Sequence, residues 1–320
     1  MKRYWFYFGA IGIILMWILF ALGYPKLEID DSFWDGQRNK NSIPVSFVNP
    51  GVRFSILRTA SADTSEAFLY EGGNLFKKRI ISHSALLVEH PQGKFLFDTG
   101  LGTDIKEQFA LKPIHLRILM AYKDHIPAVE LLKKEGYDPR QIEKVFLSHM
   151  HWDHASGVKD FPWAKVLTTE EERSGAFASD TRHGYIQRQF DGDQIRWENV
   201  KFQDAPYETY SRSLDLFQDG SIVFVPMAGH GGGSIGLFIN LSPKQRYFFT
   251  GDISWSKEGF SLPAHKPRLS RRIADKDPET LGRELARVHD LIVHKPEIHV
   301  IPAHDSIAQE EIAKFPHWNR

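Results

Sequence analysis

Two spacings of apolar residues organise this chain. Short alternating or continuous apolar runs predict strands over 54–57, 84–88, 94–97, 144–147, 165–167, 221–225, 236–241, 246–249 and 298–301. His90-Pro91-Gln92-Gly93 joins two of these runs as a hairpin. Leu281, Leu285, Val288 and Ile292 recur at three and four residues and predict an amphipathic helix. A second helix is expected over 128–135, ended by Gly136, with Asp138-Pro139 opening the next turn. Strands interleaved with helices over residues 52–320 predict one α/β domain.

The amino terminus follows neither spacing. Residues 4–24 carry no charge, and about 20 apolar residues suffice to cross a bilayer as a helix. Residues 1–25 therefore read as a single transmembrane anchor, with Tyr4, Trp5 and Tyr24 at the interfaces. Lys2 and Arg3 favour a cytoplasmic amino end, which places the rest of the chain on the extracytoplasmic side of the membrane. The alternative is a cleaved secretory signal with Ala21-Leu22-Gly23 as its small-x-small site. Residues 26–51, with Pro44, Pro50 and scattered Asn and Asp, read as a linker.

Composition narrows the chemistry. Of 320 residues, 42% are hydrophobic and 25% charged, as in a folded globular protein. Forty Lys and Arg balance 40 Asp and Glu, so no global field recruits nucleic acid. The locally basic run from Lys266 to Arg272 reads as a solvated loop. Cysteine is absent, which removes disulfides, thiolate catalysis and thiolate-held zinc together. Any metal must be held by imidazole and carboxylate.

The densest chemistry is Ser148-His149-Met150-His151-Trp152-Asp153-His154, just past an apolar run. His149 and His151 are two apart, so in extended backbone both rings point to one side. Asp153 and His154 are expected to turn away as the chain enters a helix. Asp98-Thr99-Gly100, Gly229-His230-Gly231, Gly251-Asp252 and His304-Asp305 likewise follow predicted strands. Ligands at strand ends let a sheet converge side chains on one rim. Imidazole with carboxylate suits zinc, with manganese and iron as the other candidates. His83, His90, His115, His125, His289, His294, His299 and His317 read as ordinary polar residues. His183 and His265 flank the clusters and are candidates for substrate contact. Gly232-Gly233-Ser234-Ile235-Gly236 matches a serine-hydrolase elbow, but the residues after it read as a strand where that motif needs a helix.

Taken together, SHMHWDHASG, PMAGHGGGS, TGDIS and IPAHD, in this order, resemble the metallo-β-lactamase superfamily of hydrolases. The resemblance implies a four-layer αββα sandwich with two metal ions on one edge. It implies that His149, His151 and His230 hold one ion, that Asp153, His154 and His304 hold the other, and that Asp252 bridges them. Asp98 would orient a ligand histidine. Two such ions share a water and bring its pKa toward neutrality; Asp153 and Asp252 would then be the catalytic carboxylates, Asp153 orienting the water and passing a proton to the leaving group.

Within the superfamily, the lack of cysteine speaks against β-lactamases whose second metal has a cysteine ligand. Having both Asp252 and His304 fits the glyoxalase-II-like thioesterases, the lactonases and the phosphodiesterases. The string SHMHWDHASG with Thr168-Thr169-Glu170-Glu171 downstream looks most like N-acyl-homoserine-lactone lactonases, which implies a small-molecule lactone or ester substrate. Those lactonases tend to carry tyrosine three residues after the bridging aspartate. Here that residue is Trp255, a donor of one hydrogen bond that cannot act as a phenol. A tethered non-catalytic metal-binding protein is the alternative from another class, but no ligand position of the pattern is missing.

Overall fold

The computed structural model describes residues 51–320. The membrane anchor or signal expected over 1–25, and nearly all of the linker, lie outside the described residues. Among the described residues, no helix is long and apolar enough to cross a membrane.

Eleven strands form two sheets among the described residues. The first contains β1 (Arg53–Ser65), β2 (Lys78–His90), β3 (Gly93–Phe97), β4 (Lys144–Phe146), β5 (Lys165–Thr168) and β6 (Arg196–Asn199), in that order. Its first three strands are antiparallel and the rest parallel. The second contains β7 (Leu214–Asp215), β8 (Ile222–Pro226), β9 (Ile235–Ser242), β10 (Gln245–Phe249) and β11 (Ile298–Ile301), with β11 added in parallel beside β10. The predicted strands are all present. β1 and β2 run far beyond their predicted lengths, because their outer halves are polar and carry no apolar run.

The two-residue period of a strand explains the layers. Phe95 and Phe97 face the core between the sheets, with Phe146, Phe224, Leu237, Ile239 and Phe249, whereas Leu96 points the other way. Phe146 stacks on Phe224 with ring centroids 4.4 Å apart. On the outer face of the first sheet, Leu57, Leu87, Leu96 and Val145 pack with Ala128, Val129 and Leu132 of the helix Ala128–Lys134. On the outer face of the second, Val223, Val225, Phe238 and Phe248 meet Leu281, Leu285, Val288 and Leu291 of the helix Pro278–His294. Helix, sheet, sheet and helix thus stack as expected. Gly136 ends the first of these helices with φ +73°, a left-handed backbone that glycine adopts without strain.

Two departures concern the site. The segment after His149 is a series of turns, not a helix: His151 O accepts from both His154 N and Ala155 N, and the coil stops there. A bulge between Arg58 and Ala60 of β1 frees Thr59, whose buried hydroxyl donates to His83 O and accepts from Leu101 N. The loop after β3 is pinned to the long hairpin in this way. Because Phe224 is wholly buried between the sheets, Phe224→Ala should cost about 3–5 kcal/mol in urea denaturation.

Candidate metal centre

The ends of β3, β4, β8, β10 and β11 deliver Asp98, the His149–His154 loop, His230, Asp252 and His304 to one edge of the sandwich. All these side chains are buried. His149 Nε2 lies 3.1 Å and His151 Nδ1 2.9 Å from His230 Nε2. Asp153 Oδ2 lies 3.3 Å from His304 Nε2 and 3.2 Å from His83 Nδ1. Asp252 stands between these groups. Its Oδ2 is 3.4 Å from His230 Nε2 and 3.1 Å from His304 Nε2, and its Oδ1 is 3.3 Å from His154 Nε2.

The histidines are aimed from behind. His154 Nδ1–H donates to Asp98 Oδ2 at 2.8 Å, His230 Nδ1–H to Asp275 Oδ1 at 2.7 Å and His304 Nδ1–H to the Ser82 carbonyl at 2.8 Å. Ser148 Oγ donates to Asp98 and so accepts from His149 Nδ1–H at 3.0 Å. Each of these four rings therefore presents an Nε2 lone pair to the centre when neutral. Lone pairs facing one another at about 3 Å repel, and Asp252 Oδ1 is buried without a hydrogen-bond partner. Three triads (His149, His151 and His230; His83, Asp153 and His304; His149, His154 and Asp252) each bring their ligand atoms within 4.8 Å of one another. This donor set fits divalent cations such as zinc.

Electrostatics divide the site. Burial holds His149 and His151 well below the usual imidazole range, and the neighbouring imidazoles add to the effect. Burial acts the same way on His154, but Asp252, Asp98 and Asp153 outweigh it and raise that ring. Asp252 is lowered despite its burial, by His304 and His154.

Close backbone approach fixes the loops. Gly184 has φ +88°, and a Cβ there would lie 2.7 Å from the His151 ring. Glu172, buried at the start of the helix Glu170–Ala178, ties two ligand loops together. Its Oε1 accepts from Met150 N at 2.9 Å and from the Tyr185 hydroxyl, whose ring packs on His151, while Oε2 accepts from Gly233 N at 3.0 Å. Ser234, the supposed elbow serine, accepts from Gly231 N and leads directly into β9, so no elbow exists.

Several residues sit where sequence patterns did not place them. His83, read as an ordinary polar residue, lies against Asp153 and His304 on the buried face of β2, just before the run that predicted that strand. Lys266, read as part of a solvated loop, is wholly buried and bonded to Asp275, and the run continues as the helix Arg268–Ala274. The Lys112 ammonium is buried over the Trp152 ring and near the Thr181 carbonyl, and burial pushes it down to about 8. His183 is exposed and hydrogen-bonded to Asp180 in a polar cleft beside the centre. His265 packs against Gly282 and lines neither cleft. Trp255 does line the main cleft, and its indole N–H donates to Asp252 Oδ2 at 2.9 Å.

That cleft encloses about 120 Å³, with Asp153, Asp252 and His304 in its lining. Phe68, Ile81, Met120, Trp152 and Ile273 give it apolar walls.

The model of the Metallo-beta-lactamase superfamily matches residues 80–302, and the chain belongs to this superfamily. It is a metal-dependent hydrolase of that class. Among curated relatives, N-acyl homoserine lactonase AttM of Rhizobium radiobacter is 25% identical over 239 residues, covering 72% of this chain and 85% of its own. N-acyl homoserine lactonase AiiA of Bacillus thuringiensis subsp. kurstaki is 25% identical over 244 residues, covering 72% and 84%. A crystal structure of a B. thuringiensis AiiA variant with N-decanoyl-L-homoserine bound at the active site shares the fold. It has a TM-score of 0.64 at 18% identity, over 83% of this chain and 98% of that one. AidC, described as a dizinc quorum-quenching lactonase in complex with a product, has a TM-score of 0.56 at 17% identity, over 87% and 92%.

The Glu172 clamp has a measurable consequence. Glu172→Gln turns an acceptor into a donor facing a buried N–H, and should cost roughly 2–3 kcal/mol in urea denaturation. An unchanged midpoint would show that the loops hold without it.

Proposed function

We propose that this enzyme hydrolyses a lactone or other carboxylic ester bearing an apolar chain. The observation that carries the reading is the joining of two donor groups by Asp252 at the base of an apolar-walled cleft. His149, His151 and His230 would hold one divalent ion, and Asp153, His154 and His304 the other, with Asp252 between them. Two such ions, zinc foremost for this nitrogen-and-oxygen set with manganese or iron as the alternatives, would supply an activated water and polarise the scissile carbonyl.

The chain's own side chains account for the rest. Asp153 reaches the cleft, where its carboxylate accepts a proton from the attacking water and returns it to the leaving oxygen. His83 Nδ1 lies 3.2 Å from that carboxylate and bounds it on one side. Phe68, Ile81 and Met120 bind the apolar chain and exclude water. Trp255 spends its one N–H on Asp252, so no phenol-like donor meets the substrate carbonyl. The lactonase relatives support the ester reading. One feature favours a phosphodiester instead: Arg272 and Lys276 line the polar cleft that shares His151 and His230 with the centre.

We also propose that residues 1–25 tether the enzyme to a membrane, that 26–51 serve as the linker, and that the hydrolase domain (52–320) lies on the extracytoplasmic side. The uncharged stretch over 4–24 supports this reading. Phe76 (92% exposed) and Ile118 (73%) add to it, in segments adjoining those that line the cleft.

The purified full-length chain should bind about two zinc ions and cleave lactones or esters, with thioesters and phosphodiesters as the comparison arms. His151→Ala combined with Asp252→Ala should lose both metal and activity, and full occupancy in that variant would overturn the ligand assignment. Turnover of phosphodiesters alone would overturn the ester reading.

Membrane fractions of cells expressing the chain should retain it through carbonate washing. Recovery in the medium, shortened after Gly23, would establish secretion instead.

A further inference from the structure

Lys266 is the one cation of its basic run that the fold buries, with no side-chain exposure. Its Nζ donates to Asp275 Oδ1 at 2.7 Å and to the Ile253 carbonyl at 3.3 Å. It lies 3.5 Å from His230 Nδ1 and 5.4 Å above the Trp255 ring. The same Asp275 oxygen accepts the His230 Nδ1–H. Trp255 Nε1–H in turn donates to Asp252, and Ile253 follows Asp252 in sequence. A buried ammonium is costly unless fully paired, so a fold that keeps one here gains from its position.

We infer that Lys266 is a positioning residue that sets two metal-binding side chains at once. Through Asp275 it fixes the ring plane of His230. Through the Ile253 carbonyl and the face of Trp255 it fixes the carboxylate of Asp252. The first arm serves the His149, His151 and His230 group alone. The second serves both groups, because Asp252 stands between them. This inference rests on the two-metal reading above.

The test is a zinc titration of the full-length protein against a competing chelator, with folding followed separately by thermal denaturation. Two binding steps in the wild type are the premise, and their absence would refute the two-metal reading itself. Asp275→Asn should weaken one step by roughly 10-fold or more, and Lys266→Met should weaken both. Lys266→Met leaves Asp275 buried and unpaired and risks misfolding. Lys266→Met with Asp275→Asn removes both charges while keeping an acceptor for His230. That double variant should regain thermal stability yet still bind zinc more weakly at both steps. Wild-type zinc affinity in the stable double variant would overturn the inference, and a shift confined to one step would overturn the Trp255 arm.

Discussion

Everything at this site depends on committing the second nitrogen of four buried imidazoles. A neutral ring offers one donor and one lone pair, and only a partner on the donor side decides which way the lone pair points. Ser82 O, Asp98, Ser148 and Asp275 make that decision for His304, His154, His149 and His230. Those partners come from β2, the end of β3, the end of β4 and the far side of the helix Arg268–Ala274. The sandwich is therefore more than a platform. Its strand ends supply the candidate ligands and also the groups that aim them.

Asp98 shows how local strain serves this purpose. It has φ +59°, uncommon for a residue with a side chain, and its backbone N–H donates to Phe146 O. Its carboxylate takes Ser148 N and Ser148 Oγ at 2.7 Å each, and His154 Nδ1 at 2.8 Å. Four hydrogen bonds outweigh the small cost of a left-handed aspartate. Glu172 does for the far side of the centre what Asp98 does for the near side. One buried carboxylate gathers backbone N–H groups from the β4 loop and the β8 loop, so neither loop can move alone.

The strands and both major helices were legible because apolar spacing reports burial directly, and the gathering of His149, His151, Asp153, His154, His230, Asp252 and His304 on one edge was legible because each follows a predicted strand. The groups that aim and enclose them were not. Asp275 lies 45 residues from His230, and nothing local marks it as a partner. Lys266 sits among cations that stay partly or fully exposed, and only the turn of the chain into the helix Arg268–Ala274 buries it. His83 occupies the polar outer half of β2, where no apolar run announced a strand. The expected helix after His149 failed for a related reason. His154 is held by Asp98 and the Thr99 backbone, and Asp153 lies against His83, neighbours that propensity cannot see.

In the proposed reading, Trp255 shapes how the cleft would treat a substrate. An indole has a single donor and no acceptor, and that donor is spent on Asp252. What remains for a ligand is the apolar body of the ring, beside Phe68, Ile81 and Met120. On that reading, the cleft would discriminate chiefly by shape and apolar area above a strongly charged floor, because the Trp255 indole puts no hydroxyl of its own beside Asp252 to read a carbonyl oxygen. Such a pocket separates chain lengths weakly, because one methylene changes the free energy by about 1–3 kcal/mol. Polar discrimination has to come from the other opening, where Arg272 and Lys276 stand beside His151 and His230. A substrate with an apolar arm and an anionic arm would use both openings with its scissile bond between them, whereas a small neutral lactone would use only one.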